Sequence, residues 1–86
     1  MKPQHKNLQD QVCDDLKSRG WITTQEKYLK GIGKVDVYAE KNGQVIIVEC
    51  GYLEGSRIWN LKAAGLHFSW QPYLYLFNNR KSGLSL

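Results

Sequence analysis

The sequence predicts an α/β domain: a three-layer α/β/α sandwich around a mixed four-stranded sheet, in the order α-β-β-β-α-β. Three observations predict it. Leu8, Val12 and Leu16 recur every fourth residue, an Asn42-Gly43 pair separates two β-rich runs, and the most hydrophobic run, Val45-Ile-Ile-Val48, precedes a second helical pattern. A strand-helix-strand unit after a hairpin yields a mixed sheet with a right-handed crossover. One helix on each face then covers it.

The spacing predicts a first helix over His5–Arg19, with Leu8, Val12 and Leu16 on one stripe. Gly20 is its expected stop, and Lys17 and Arg19 suit the negative end of the helix dipole. Trp21–Tyr28 is rich in β-branched and aromatic residues and reads as a strand. Lys30–Gly33 is a loop, and Lys34–Glu40 a second strand. Asn42-Gly43 accepts the positive φ angles of a type I′ hairpin turn. Val45–Gly51 is the third strand, apolar enough to be central and covered on both faces. A second helix is expected over Ser56–Phe68, capped by Ser56, with Ile58, Leu61, Gly65 and Phe68 on its core stripe. Pro72–Phe77 is the last strand, and Asn78–Leu86 is expected to be a loose tail.

With 86 residues the chain is one domain, residues 1–86, with a core over about residues 5–77. Hydrophobic residues at 42% and charged residues at 23% describe a globular composition rather than a disordered one. No run approaches the roughly 20 apolar residues that span a bilayer, so no membrane partner is expected. The first ten residues lack the apolar segment of a secretory signal. Two distant cysteines, Cys13 and Cys50, make neither a disulfide scaffold nor a zinc site and read as buried free thiols in the cytoplasm. A net charge of +4 suits a nucleic-acid partner.

Two acids stand out because their strands are otherwise apolar. Asp36 lies in the middle of the second strand, and Glu49 ends the third. Burying a carboxylate there is costly unless it is paired or bound to a cation. By alternation Lys34, Asp36 and Tyr38 share one face, and Glu49 shares one with Val45, Ile47 and Gly51. A hairpin register that joins those faces makes Asp36 and Glu49 converge at one end of the sheet. Paired carboxylates are hard oxygen ligands suited to Mg²⁺ or Mn²⁺, which activate water and neutralise phosphodiester charge. The competing reading is a pair of solvated or ion-paired strand-end acids.

Val-Asp36-Val and Val-Ile-Ile-Val-Glu49-Cys-Gly51, in this element order, resemble the PD-(D/E)xK nuclease superfamily. These restriction-endonuclease-like enzymes include Holliday-junction resolvases and VRR-type nucleases. The resemblance covers about His5–Phe77. It implies a metal-dependent nuclease hydrolysing DNA phosphodiester bonds, with Asp36 and Glu49 as metal ligands. Cys50 would complete the metal site through its backbone carbonyl. Gly51 stands where the family has its lysine, and Val35 where it has proline. That lysine orients the attacking water and offsets transition-state charge, an effect worth several kcal/mol. Lys34 and Lys62 are the candidate replacements, with Arg57 a third; otherwise the domain is a catalytically degenerate module that binds nucleic acid or a protein without cleavage. Lys27, Lys30, Lys34, Arg57 and Lys62 are candidates for a phosphate track, whereas Trp21 and Tyr28 read as core residues more readily than as base-stacking platforms.

The second helix carries another apolar stripe, Trp59, Ala63 and Leu66, with Trp70 just beyond. A small monomer covers one side of such a helix, so the other stripe is covered either by a tight fold-back of the Trp70–Pro72 segment or by a partner copy. A homodimer through Trp59, Leu66 and Trp70 is expected.

Overall fold

The computed structural model describes residues 3–51, 61–63, 65–71 and 74–79. They form a small α/β fold. Helix α1, Pro3–Ser18, comes first. Strands β1 (Ile22–Leu29), β2 (Gly33–Lys41) and β3 (Gln44–Cys50) follow as a three-stranded antiparallel meander. A second helical segment is described at residues 61–63. Strands β4 (His67–Gln71) and β5 (Leu74–Asn79) then form an antiparallel hairpin.

The hairpin extends the meander into a five-stranded sheet of order β1-β2-β3-β5-β4. This corrects the expected four-stranded mixed sheet. Every hydrogen-bonded neighbour pair is antiparallel, including β3 with β5. Because β5 opposes both β3 and β4, β4 runs in the same direction as β3 with β5 between them. The expected strand-helix-strand unit joined the third strand to a parallel strand at Pro72–Phe77; residues 74–77 of that segment fall in β5, which runs antiparallel to β3.

Two stops explain the element boundaries. At the end of α1, Trp21 N–H donates to the Leu16 carbonyl and Gly20 N–H to that of Lys17, both at 3.0 Å. Gly20, at φ +90°, turns the chain out of the helix. The second helical segment ends the same way: Leu66 N–H donates to the Leu61 carbonyl at 3.3 Å and Gly65 N–H to that of Lys62 at 2.9 Å. Gly65, expected on the core stripe of a helix running to Phe68, is therefore a terminator. Phe68 and Trp70 belong to β4. Asn78 and Asn79, expected in a loose tail, belong to β5. Asn42 and Gly43 have φ +50° and +76°, as the β2–β3 turn requires.

The core divides between the two faces of the sheet. On one face Leu8, Val12, Cys13 and Leu16 of α1 pack with Val37, Ile46, Val48 and Cys50. The other cluster joins Leu29, Val35, Tyr38, Val45 and Ile47 to Leu61 and Leu66. Leu66, expected on an outward-facing stripe, is only 4% exposed and packs with Leu61 inside the molecule. Trp59 lies outside the described residues. Among the described residues no helix is long and apolar enough to cross a membrane.

Candidate functional site

The β2–β3 ladder ends at Val37 opposite Val48, after Tyr38 opposite Ile47. Continuing that register by one step sets Asp36 against Glu49. Instead of extending the backbone ladder, the Asp36 carboxylate takes the next bond itself: its Oδ2 accepts from the Cys50 N–H at 2.7 Å. A charged acceptor makes this a strong hydrogen bond. It holds the Asp36 carboxylate beside the residue that follows Glu49.

Alternation along β3 is unbroken. Val45 and Ile47 belong to one core cluster, and Ile46, Val48 and Cys50 to the other. Glu49 therefore faces the Val45–Ile47 side, where it is 6% exposed. The Cys50 side chain lies on the α1 side.

Along β2 alternation fails at Asp36. Val35 packs with Tyr38, although a regular strand would put them on opposite faces, and Val37 packs under α1. Lys27, paired with Val35, sets its Nζ 4.9 Å from the centre of the Tyr38 ring, which independently places Val35 and Tyr38 on one side. Glu26 lies between Gln25, paired with Val37, and Lys27, paired with Val35. It has φ +52°, a left-handed conformation uncommon for a side-chain-bearing residue. Each strand contributes one residue to the reversal, so the register is kept on both sides. Lys34, Asp36 and Tyr38 consequently do not share the single face that simple alternation predicts.

Lys34 is exposed, and its Nζ meets Glu26 Oε1 at 3.4 Å. Lys62 is exposed beside buried Leu61. Arg57 lies outside the described residues. Gly51 follows the end of β3 with φ +92°. A lysine there would carry a Cβ in a conformation that costs roughly 1–2 kcal/mol for an ordinary residue. The glycine thus answers a backbone demand at the position where the resembled motif has its cation.

Burial pushes the Cys50 thiol up from 9.0 to about 12, with further contributions from Asp36, Glu49 and Cys13. It is therefore a neutral thiol at physiological pH, unsuited to a thiolate role. Beyond burial, the negative charges of Asp36 and Glu49 both disfavour the thiolate. Among the described residues no group of three or more His, Cys, Asp or Glu side chains is gathered to hold a metal ion. The donor chemistry of Asp36 and Glu49, carboxylate oxygen without thiolate or imidazole, fits a hard cation rather than zinc.

Sequence reasoning passed over two residues. Glu26 opposes Asp36, and its distortion accompanies the reversal at the site. Gln9 is 0% exposed, with no hydrogen-bond partner for either side-chain amide atom among the described residues. Asp10 beside it accepts from Gln25 Nε2 at 3.0 Å, and Gln25 pairs with Val37. This part of α1 therefore lies level with the middle of β2, one residue from Asp36. Its sequence signal was a polar residue one helical turn before Cys13.

Comparison with known proteins finds no matching family model, no matching curated protein and no matching solved structure.

Proposed function

We propose that the protein is a metal-dependent nuclease that hydrolyses DNA phosphodiester bonds at the Asp36–Glu49 end of the sheet. The observation that supports this most is the 2.7 Å bond from Cys50 N–H to Asp36, which groups one acid with the residue next to the other. Asp36 and Glu49 would hold Mg²⁺ or Mn²⁺, with the Cys50 carbonyl as a further oxygen donor. Such an ion supplies water activation and neutralisation of phosphate charge. In this reading the chain's own contribution is to orient the Asp36 carboxylate through Cys50 and to keep Glu49 shielded from water. Lys34, beside Glu26, and Lys62 are the candidate cations for the role that Gly51 does not fill.

Gly51 favours a second reading, a degenerate module that binds nucleic acid or a protein without cutting. The three-layer arrangement, with the helical segment at residues 61–63 over the face opposite α1, belongs to the same proposal and draws on Leu61 and Leu66. So do a cytoplasmic location, suited to two free thiols, and a homodimer through Trp59 and Trp70. Leu66 is withdrawn from that interface because it is buried.

Plasmid and branched DNA incubated with the protein in Mg²⁺ or Mn²⁺ test the main reading. Asp36→Asn and Glu49→Gln should each abolish cleavage and leave the circular dichroism spectrum unchanged. Asparagine keeps an acceptor for the Cys50 N–H, whereas Asp36→Ala would also cost about 1–3 kcal/mol by orphaning it. Cleavage that survives both substitutions refutes the assignment. Absence of both cleavage and Asp36-dependent Mn²⁺ binding selects the degenerate module.

A further inference from the structure

We infer that the tip of the β1–β2 hairpin is a docking surface for unpaired nucleotides, with Tyr28 stacking on a base and Lys30 and Lys34 meeting the adjoining phosphates. The inference deepens the proposed function by specifying the form of its substrate, and rests on that reading only for the nucleic-acid class.

Tyr28 is 74% exposed on an edge strand, although its sequence context reads as core. A planar ring left in water beside cations is the arrangement that binds nucleobases, because every base offers a π-face. Lys34 is its direct cross-strand partner and shares its face. Lys30 is exposed at the start of the turn. Residues 26–34 carry three lysines against one glutamate. That glutamate, Glu26, holds Lys34 at 3.4 Å, so a phosphate there would compete with it. Lys27 lies half-buried over the Tyr38 ring, whereas Lys30 and Lys34 are exposed and within reach of a phosphate, Lys34 by exchanging Glu26 for it.

The backbone of the tip is open as well. A Cβ built on Gly31 would meet nothing within 4 Å, so a sugar-phosphate chain can approach the turn closely. Lys34 is two residues from Asp36, or about 7 Å along an extended strand, so the tip lies at the same end of the sheet as the carboxylates.

The occupant is a nucleic acid rather than a protein strand. Adding a strand to β1 needs a regular row of edge hydrogen-bonding groups, and Glu26 at φ +52° interrupts that row in mid-strand. Intact duplex offers its base faces only at the ends, so the aromatic contact selects unpaired bases.

The test measures fluorescence anisotropy with labelled oligothymidine and the corresponding oligothymidine–oligoadenine duplex, using the full chain in EDTA. Wild type should bind the single strand more tightly. Tyr28→Ala should weaken that binding by about 5- to 150-fold, the range for loss of one base–aromatic stack. Tyr28→Phe should restore it. Lys30→Ala should reduce the salt slope by about 0.7. Wild-type affinity in a correctly folded Tyr28→Ala variant overturns the inference, as does equal or tighter binding of duplex. Cleavage that needs Asp36 but is indifferent to Tyr28 removes this inference and leaves the nuclease. Tyr28-dependent binding without any cleavage keeps the docking surface and removes the nuclease.

Discussion

At the scale of single residues, Gln9 stands out among the described residues, its side-chain amide fully buried without a hydrogen-bond partner there. A buried amide that lacks partners forfeits hydrogen bonds to water, at a cost of about 1–3 kcal/mol by mutational measures. Gln9→Met keeps the length and flexibility of the side chain and removes the polar atoms. Urea unfolding should show the variant more stable by about that amount; a less stable variant would mean that the amide has a bonding partner. The position was visible in the sequence as a polar residue beside Leu8 on the helix stripe, but whether it faced water was not. Asp36 and Glu49 were easier to read, because acids inside β-branched runs demand an explanation. The reversal between Val35 and Tyr38 was hidden. It depends on a left-handed Glu26 in the neighbouring strand, and period-two counting assumes every residue is extended. Gly51 looked like a lost cation. Its φ of +92° supplies a conformational reason that spacing alone cannot express.

Among the elements, α1 shows how local signals set a boundary and tertiary contacts secure it. Gly20 was legible as the stop. Lys41 was not, since its partner is 22 residues away: its Nζ donates to the Arg19 carbonyl at 2.7 Å and lies 6.0 Å from the Trp21 ring centre. This places a cation at the negative end of the helix dipole. Gly20→Ala should cost about 1–2 kcal/mol through φ strain. Steric conflict adds little there, because the nearest atoms to the new Cβ, on Lys41, are 3.6 Å away. Lys41→Ala should cost less, about 0.3–1 kcal/mol for an exposed contact to the dipole. Urea denaturation of both variants checks the ranking. The strands of the meander were read nearly to their ends because turn residues bracket them. Strand β4 was missed for a specific reason. Gly65 was counted into a helical stripe, which obscured the period-two alternation of His67-Phe-Ser-Trp-Gln71.

For the whole molecule, alkaline pH is the informative variable. Burial raises Cys50 from 9.0 and Tyr38 from 10.0, each to about 12, with a Glu40 hydrogen bond adding to the Tyr38 shift. Both groups are neutral when protonated, and both hold their protons more tightly when folded. Their contribution is therefore complete below pH 9. As pH rises toward 12, the unfolded chain releases protons that the native state retains, and stability falls. Urea midpoints measured under reducing conditions from neutral pH upward should be flat at first and then decline, less steeply in Cys50→Ala. Assembly is the second variable. Sedimentation equilibrium should show a mass above the 9.9 kDa of one chain, reduced to monomer by Trp59→Glu; a wild-type monomer at high concentration ends the dimer proposal.

The split order β3-β5-β4 also dictates when the molecule can be finished. Among the described strands β5 comes last in sequence order yet occupies an interior place in the sheet, with β3 on one side and β4 on the other. During synthesis β1, β2 and β3 can pair as they emerge, while β4 has no hydrogen-bonding neighbour until β5 arrives. Until then β3 presents an open, largely apolar edge of the kind that recruits strands from other molecules. Closure of the sheet and protection from aggregation are thus a single event, timed by the appearance of residues 74–79.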